Sequence, residues 1–138
     1  MPAGYSGRPL AAKLGLKAGE RVWRENMPAS VAADIAGDAP TLHLLSRAEA
    51  PIDHAHIFVE RRADLADALA RLRPLLTSAG MLWVSWPKRA SKVPTDITED
   101  TVRELAFPHG FVDVKVCAID ERWSGLKLVV RLAERRWQ

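Results

Sequence analysis

The sequence predicts a single-domain α/β protein over residues 1–138, in which helices cover both faces of a mainly parallel sheet of about six strands that ends in an antiparallel hairpin. Three observations support this class. Strand-like runs alternate with helical segments along most of the chain. Residues 81–86 are almost continuously apolar, which is typical of a strand covered on both faces of a parallel sheet. Two long alternating runs near the C-terminus are separated by a short polar segment, as in a hairpin.

The elements of the first half follow from turn residues and helical spacing. Residues 1–8 are expected to form a flexible N-terminal arm, and Pro9 suits the first turn of a short helix over residues 9–15. Gly37 ends a second helix over residues 28–36. Strands are predicted at residues 21–24, 41–45 and 55–59. A long helix follows over residues 61–76, with an apolar stripe formed by Leu65, Ala68, Leu69, Leu72 and Leu76.

The second half adds the central strand, one more helix and the hairpin. Pro87 ends the apolar strand, and Thr98 is predicted to cap a helix over residues 99–107. Strands are predicted at residues 111–119 and 125–132, near an edge of the sheet. Alternation predicts that one face of the first hairpin strand carries Val112, Val114, Val116 and Ala118.

Composition limits the classes of function. The chain is 48% hydrophobic and 27% charged with a formal net charge of +3, and its acids and bases are interspersed as on an ordinary solvated surface. The sequence lacks a lysine-rich run with interleaved aromatics, which argues against nucleic-acid binding.

The cysteine and hydropathy patterns predict a cytoplasmic protein that does not associate with membranes. Cys117 is the one cysteine, so no intramolecular disulfide forms, and no cysteine and histidine pair has the spacing of a metal finger. No apolar stretch approaches the roughly 20 residues that cross a bilayer. We therefore assign no metal, and no cofactor is assigned either.

The segment after the first predicted strand lacks the usual device for binding phosphate. Arg21 to Arg24 lead into Glu25-Asn26-Met27-Pro28-Ala29-Ser30, where a nucleotide-binding α/β domain places glycines. Glycine lets the backbone approach a phosphate and direct its N–H groups there. A proline and several β-carbons occupy this turn instead, so the sequence does not predict conventional phosphate binding.

Three segments together resemble a family of small bacterial proteins classified as a domain of unknown function. They are Gly4-Tyr5-Ser6-Gly7 with Pro9-Leu10, Leu82-Trp83-Val84-Ser85-Trp86-Pro87-Lys88, and Lys115-Val116-Cys117-Ala118-Ile119-Asp120-Glu121 with Trp123-Ser124-Gly125-Leu126-Lys127. The resemblance spans nearly the whole chain. The family has no established activity, and the resemblance therefore implies no catalytic residues.

The order of elements resembles a shortened, Rossmann-like fold of the S-adenosylmethionine-dependent methyltransferases, whose sheet characteristically ends in a hairpin. Only about nine residues separate the strand ending at Leu45 from the one starting at Ala55. These are too few for the helix, strand and helix that the full enzyme fold carries there. The domain is therefore expected to be truncated where the adenosine pocket would be walled, and fold alone does not give function.

Ligands of open parallel sheets bind outside the carboxyl ends of the strands, which places the candidate contacts. These candidates are Asn26, Glu60, Trp86, Lys88 and Ser91. Lys88 follows the central strand directly, and together with Arg89, Ser91 and Lys92 it would present cations and a hydroxyl to an anionic ligand. A polar loop after a buried strand is also commonly just solvated, and this reading remains open.

Two further groups have both a functional and a structural reading. Asp120 and Glu121 beside Trp123 suit an acid/base or recognition site, but hairpin turns favour polar residues in any case. His54 and His56 point to one face of their strand, yet two ligands are insufficient for a typical zinc site, which favours packing histidines.

Two functional hypotheses follow. The preferred one is a non-catalytic binding or interaction protein with a degenerate methyltransferase-like fold; the alternative is an enzyme or ligand-regulated protein that holds a small anionic or nucleotide-like ligand at the strand ends. A crevice plugged by the arm around Tyr5 would exclude the alternative. The partners are unassigned, and an uncovered sheet edge favours a homo-oligomer. Trp137 is expected to dock on a partner subunit or back on the domain.

Overall fold

The computed structural model describes residues 8–135, which contain one six-stranded sheet. The predicted roles of Tyr5 and Trp137 lie outside these residues. The strands are β1 (Arg21–Glu25), β2 (His43–Leu44), β3 (Ile52–Phe58), β4 (Leu76–Pro87), β5 (Phe111–Ala118) and β6 (Trp123–Val130). Their order across the sheet is β2-β1-β3-β4-β6-β5. The first four are mutually parallel, and β6 runs antiparallel to both β4 and β5. The predicted α/β class with a C-terminal antiparallel hairpin is therefore confirmed.

Within residues 8–135, four α-helices flank the sheet: α1 (Leu10–Lys13), α2 (Ala29–Ala36), α3 (Arg62–Leu72) and α4 (Glu99–Ala106). Helices α1 and α2 pack on one face, against Phe58, Met81 and Trp83. Helices α3 and α4 pack on the other face, where Leu82 and Val84 are fully buried. No helix in the part of the chain that the structure describes is long and apolar enough to cross a membrane.

Strand β4 is the centre of the fold, as its apolar sequence predicts. Residues 80–87 are all buried, because both layers of helices cover them. The Trp83 indole N–H donates to the Leu14 carbonyl at 3.0 Å, which ties α1 to the sheet. The burial of both faces and this hydrogen bond hold β4 in place between the two layers of helices.

Helix α3 is shorter than its apolar stripe predicts. It ends at Leu72, and a 3-10 turn over Arg73–Leu75 leads into β4 at Leu76, which pairs with Ile52. Pro74 lies in that turn; proline has no N–H for the next helical hydrogen bond. Leu72 and Leu76 thus belong to the same core cluster although only Leu72 is helical.

The hairpin lies at an edge of the sheet as predicted, but the faces of its first strand differ from the prediction. The register between β5 and β6 shifts between Asp113 and Lys115, so a β-bulge at Val114 reverses the alternation of side chains. Val112 therefore does not share a face with Val116, as the alternation had suggested. Strand β6 also lies inside the sheet between β4 and β5, so β5 alone is the edge strand of the hairpin.

The N-terminus of α4 is confirmed in detail. Thr98 is its N-cap: the Thr98 hydroxyl accepts the Thr101 N–H, and the Thr101 hydroxyl accepts the Thr98 N–H. This reciprocal pair satisfies two backbone donors that the first turn leaves unpaired. The cap fixes where the loop that follows β4 becomes helical.

Candidate ligand-binding crevice

The carboxyl ends of β1, β3 and β4 meet at one edge of the sheet, where the turn between β5 and β6 also lies, because β6 runs antiparallel to β4. Two adjoining crevices open at this edge. The hairpin crevice, about 650 Å³, is lined by Pro28, Ser30, Asp34, Ala90, Ser91, Asp120, Glu121, Arg122 and Trp123. The strand-end crevice, about 350 Å³, is lined by Asn26, Phe58, Val59, Glu60, Arg61, Asp64 and Trp123. Trp123 is common to both.

Trp123 is held rigidly between the two crevices. Its ring meets Phe58 edge to face with centroids 5.0 Å apart, and its side chain is only 8% exposed. The Asp120 carboxylate accepts the N–H groups of Arg122 and Trp123, both at 2.8 Å. Asp120 therefore shapes the turn that presents Trp123.

Asn26 takes the backbone conformation that the missing glycines would have supplied. Its φ is +57°, in the left-handed region that asparagine tolerates better than most residues with a β-carbon. The chain thus makes a sharp turn after β1 and enters α2 through Pro28, which is the N-cap without a side-chain bond. The sharp turn is thus present without a glycine, and Asn26 lines the strand-end crevice.

Glu25, the last residue of β1, is turned away from the crevices. Its carboxylate accepts hydrogen bonds from the Arg71 guanidinium at 3.0 and 3.1 Å and from the Trp23 indole at 2.8 Å. Burial by itself raises the pKa of Glu25, but the hydrogen bonds from Arg71 and Trp23 outweigh it and the pKa is lowered. Glu25 is therefore an ionised anchor between β1 and α3.

Ser91 and Lys88 hold the loop after β4 in place. The Ser91 hydroxyl donates to the Lys88 carbonyl at 2.6 Å and accepts the Val93 N–H at 3.2 Å. The Lys88 N–H donates to the Arg122 carbonyl at 2.8 Å, which clamps this loop to the hairpin turn. Ser91 lines the hairpin crevice, whereas the Lys88 side chain is not part of either lining.

The structure brings together three of the five predicted contacts. Asn26 and Glu60 line the strand-end crevice and Ser91 lines the hairpin crevice. Trp86 is 6% exposed and packs in the core beneath α3 and α4, because its side chain points to that face of β4. Sequence reasoning placed Trp123 in a separate group and missed Asp34 and Asp64.

The linings carry an excess of negative charge. Five carboxylates, those of Asp34, Glu60, Asp64, Asp120 and Glu121, face only two guanidiniums, those of Arg61 and Arg122. The cations that the sequence offered to an anionic ligand, Lys88, Arg89 and Lys92, are absent from both linings. Anions are repelled by such a surface and cations are attracted to it.

His54 and His56 lie below this edge, sealed under α1 and α2. The His56 Nε2 is 2.7 Å from the Ser85 hydroxyl, and both histidines are 1% exposed. Burial, reinforced by Arg24 and Lys127, lowers the pKa of His54 to about 3. Burial also places the pKa of His56 well below its ordinary value. Both rings are therefore neutral near neutral pH, and the described residues hold no group of three or more potential metal ligands.

Comparison with known proteins identifies the family. Residues 11–132 match the family described as "Protein of unknown function (DUF3052)". The chain belongs to this family. The resemblance read from the three sequence segments is thereby confirmed, and the family description assigns no activity. No curated protein matches the chain.

Solved structures similar to this DUF3052 chain include methyltransferases. A putative type 11 methyltransferase from Sulfolobus solfataricus matches with a TM-score of 0.61 and 13% identity over 98% of this chain and 97% of that one. The ribosomal protein L11 methylase of Lactobacillus delbrueckii subsp. bulgaricus matches at 0.58 and 12% over 88% and 77%. Fibrillarin of Aeropyrum pernix, solved with natively bound S-adenosyl-L-methionine, matches at 0.54 and 14% over 87% and 73%. The fold is methyltransferase-like.

Proposed function

We propose that this protein binds a small cationic ligand, without catalysing a reaction on it, in the crevices at the carboxyl ends of β1, β3 and β4. The observation that carries the proposal is the pair of adjoining crevices around Trp123, whose linings hold five carboxylates and two guanidiniums. Open α/β sheets bind their ligands at this edge. The proposal keeps the non-catalytic part of the preferred hypothesis and the location given by the alternative one.

The negative charge of the crevice linings favours a cationic ligand over a nucleotide, whose phosphates are anionic. The turn after β1 offers Asn26 and Pro28 where a phosphate would need closely approaching N–H groups. Carboxylates at Asp34, Glu60 and Asp64 favour an ammonium or sulfonium group. Trp123 adds an aromatic surface beside which such a cation is stabilised. S-adenosylmethionine, whose sulfonium gives it a net positive charge, is the first ligand to try because similar folds hold it.

The polar groups of the lining support binding rather than catalysis. The Ser91 hydroxyl and the Asp120 carboxylate are both engaged in hydrogen bonds that form turns. The linings contain no histidine or cysteine among the described residues, and the buried His56 and Ser85 pair does not reach them. A serine or cysteine nucleophile activated by a histidine is therefore not supplied by these linings.

Isothermal titration calorimetry tests the proposal. We expect saturable binding of S-adenosylmethionine, weaker binding of S-adenosylhomocysteine, which lacks the sulfonium charge, and no binding of ATP. Glu60→Gln, which removes one carboxylate from the strand-end crevice, is expected to weaken binding about fivefold to tenfold, or ~1 kcal/mol. Glu104→Gln on α4 is the matched control, because Glu104 is exposed and lies outside both linings.

The outcomes separate the hypotheses. Tighter binding of ATP than of S-adenosylmethionine would overturn the preference for a cation and revive the anionic ligand, with Lys88→Ala as the variant that then loses affinity. Release of S-adenosylhomocysteine from S-adenosylmethionine by the protein alone or with added acceptors would contradict the non-catalytic part.

A further inference from the structure

The outer edge of β5 is the longer of the two free edges of the sheet in residues 8–135. Strand β5 spans eight residues, Phe111–Ala118, and within the described part of the chain it pairs only with β6. The opposite edge strand, β2, has two residues. An uncovered strand edge presents unpaired N–H and C=O groups that pair readily with another strand.

The ladder between β5 and β6 determines which backbone groups face outward. The Ile119 N–H donates to the Trp123 carbonyl at 2.9 Å, which makes these two residues a hydrogen-bonded pair. Hydrogen-bonded and non-hydrogen-bonded pairs alternate along an antiparallel ladder. Ala118 and Val116 therefore belong to non-hydrogen-bonded pairs, opposite Ser124 and Leu126, and direct their N–H and C=O groups away from β6. The Ala118 carbonyl accepts a hydrogen bond from the Lys13 ammonium at 2.9 Å, so Val116 is the residue that offers both groups to another strand.

The side chains along this edge are apolar and exposed. Val114 is 54% exposed and Val116 is 50% exposed, although Val116 lies opposite the fully buried Leu126. Lysines on an edge strand ordinarily discourage pairing with another chain. Here the Lys115 ammonium donates to the Lys13 carbonyl at 3.3 Å and is thereby held back over α1. The edge is left with the exposed valines and with the outward N–H and C=O groups of Val116.

We propose that two copies of the chain pair antiparallel along β5, about a two-fold axis through Val116. In this register Val116 lies opposite Val116 of the second copy, Lys115 lies opposite Cys117, and Val114 lies opposite Ala118. The exposed valines are covered, no like charges stand directly opposite each other, and the outward groups of Val116 bond to their own counterparts. Two six-stranded sheets then join into one of twelve strands.

The bulge in β5 limits the assembly to a pair. It interrupts the regular strand between Asp113 and Lys115, so a straight edge remains only from Lys115 to Ala118. A two-fold contact uses the same surface on both copies and is closed. The other sheet edge, with two residues in β2, is too short to extend the array further.

Sedimentation velocity of wild-type protein and of Val116→Lys and Val116→Glu tests the proposal. Wild-type protein is expected to show a concentration-dependent dimer. Each variant alone places two like charges at the axis and is expected to be monomeric, whereas an equimolar mixture of the two variants is expected to recover a dimer. Leu44→Lys and Leu44→Glu are matched controls, since Leu44 is 57% exposed on β2, and are expected to dimerise like wild type.

Only pairing of a residue with its own counterpart predicts recovery in the mixture. A wild-type monomer at every soluble concentration, dimers of either single variant, or a mixture that stays monomeric would each overturn the proposal. Circular dichroism of the variants guards against unfolding, and Val116→Thr, which keeps the shape of valine without a charge, is expected to stay dimeric.

Discussion

The two layers of the core differ in composition although they flank the same sheet. The layer under α3 and α4 is built almost wholly from aliphatic side chains. The layer under α1 and α2 contains aromatic rings and also buries His54, His56 and Ser85. An aliphatic layer contributes stability that does not depend on pH, whereas buried titratable groups make stability depend on it. One protein therefore holds two kinds of core with one sheet between them.

The mixed layer also supports the crevices. His56 stacks on Phe58 with centroids 4.5 Å apart, and Phe58 meets Trp123 at 5.0 Å. A row of rings thus runs from the sealed histidines to the residue that both crevices share. The α3 and α4 layer therefore stabilises the fold, while the α1 and α2 layer also positions the candidate site.

The largest expected loss of stability comes from truncating a side chain in the aliphatic layer under α3 and α4. Leu69→Ala removes a fully buried side chain and leaves a cavity, and it is expected to lower the free energy of unfolding by about 2–5 kcal/mol. Urea denaturation at neutral pH measures the loss. Leu132→Ala is the control, because Leu132 is 78% exposed and its truncation is expected to cost less than about 0.5 kcal/mol. Equal effects of the two substitutions would contradict the burial of Leu69.

The next effect probes the mixed layer by pH. Both histidines have pKa values lower in the folded than in the unfolded chain, so the unfolded state binds more protons below its own histidine pKa of about 6.5. Their stabilising contribution is complete above that pH and is lost progressively as the pH falls towards about 3, the pKa of His54. From pH 7 to pH 5.5 the expected loss is about 2.5 kcal/mol for the two groups together.

Urea denaturation at a series of pH values checks this linkage. His54→Leu removes one of the two groups and is expected to roughly halve the pH dependence between pH 7 and pH 5.5. Stability that stays constant over this range in wild-type protein would show that the histidines are not held neutral.

A substitution with a smaller expected effect tests how tightly the layer under α1 and α2 is packed over β6. A Cβ at Gly125 would lie 2.8 Å from the Cδ1 of Ile119 and 3.3 Å from the Trp83 ring. Gly125→Ala is therefore expected to cost about 1–3 kcal/mol through overpacking. Thermal unfolding measures it, and the double variant Gly125→Ala with Ile119→Val should recover part of the loss. Failure of the second substitution to help would place the strain elsewhere.

The smallest expected effect lies on the surface of the aliphatic layer. Arg71 forms an ion pair with Asp67 at 2.7 Å on α3, but the Asp67 side chain is 67% exposed. Water and salt screen such pairs, so Asp67→Asn is expected to change stability by less than about 0.5 kcal/mol. Arg71→Met, which also strands the half-buried Glu25, should cost more. Equal costs for both variants would argue against a role for Glu25 as an anchor.

Local patterns predicted the fold well because they are short-range. The apolar run of β4, the Thr98 cap and the order of elements are visible in consecutive residues. The bulge at Val114 is not visible in consecutive residues, because a regular alternation of apolar and polar residues does not reveal a register shift. The early end of α3 was missed since Leu72 and Leu76 look equally suited to one stripe, and only Pro74 signals the change.

Only part of the candidate site was predicted from the sequence, for a related reason. Asn26, Glu60 and Ser91 follow strands in sequence, and the rule for parallel sheets finds them. Trp123 reaches the same edge only because β6 inserts antiparallel beside β4, a pairing between distant segments. Asp34 lies on the outer turns of α2 and gave no signal beyond an ordinary solvated face. Charge at the site therefore could not be summed from the sequence.

The insertion of β6 between β4 and β5 has a consequence for synthesis. The chain is made from its N-terminus, so β4, its most apolar strand, is complete long before the strand that covers its second edge. Until residue 130 has left the ribosome, a twelve-residue strand keeps one edge unpaired, and nascent chains are then most exposed to aggregation. Chains released before β6 is finished are expected to be substrates for chaperones and proteases rather than shortened, working domains.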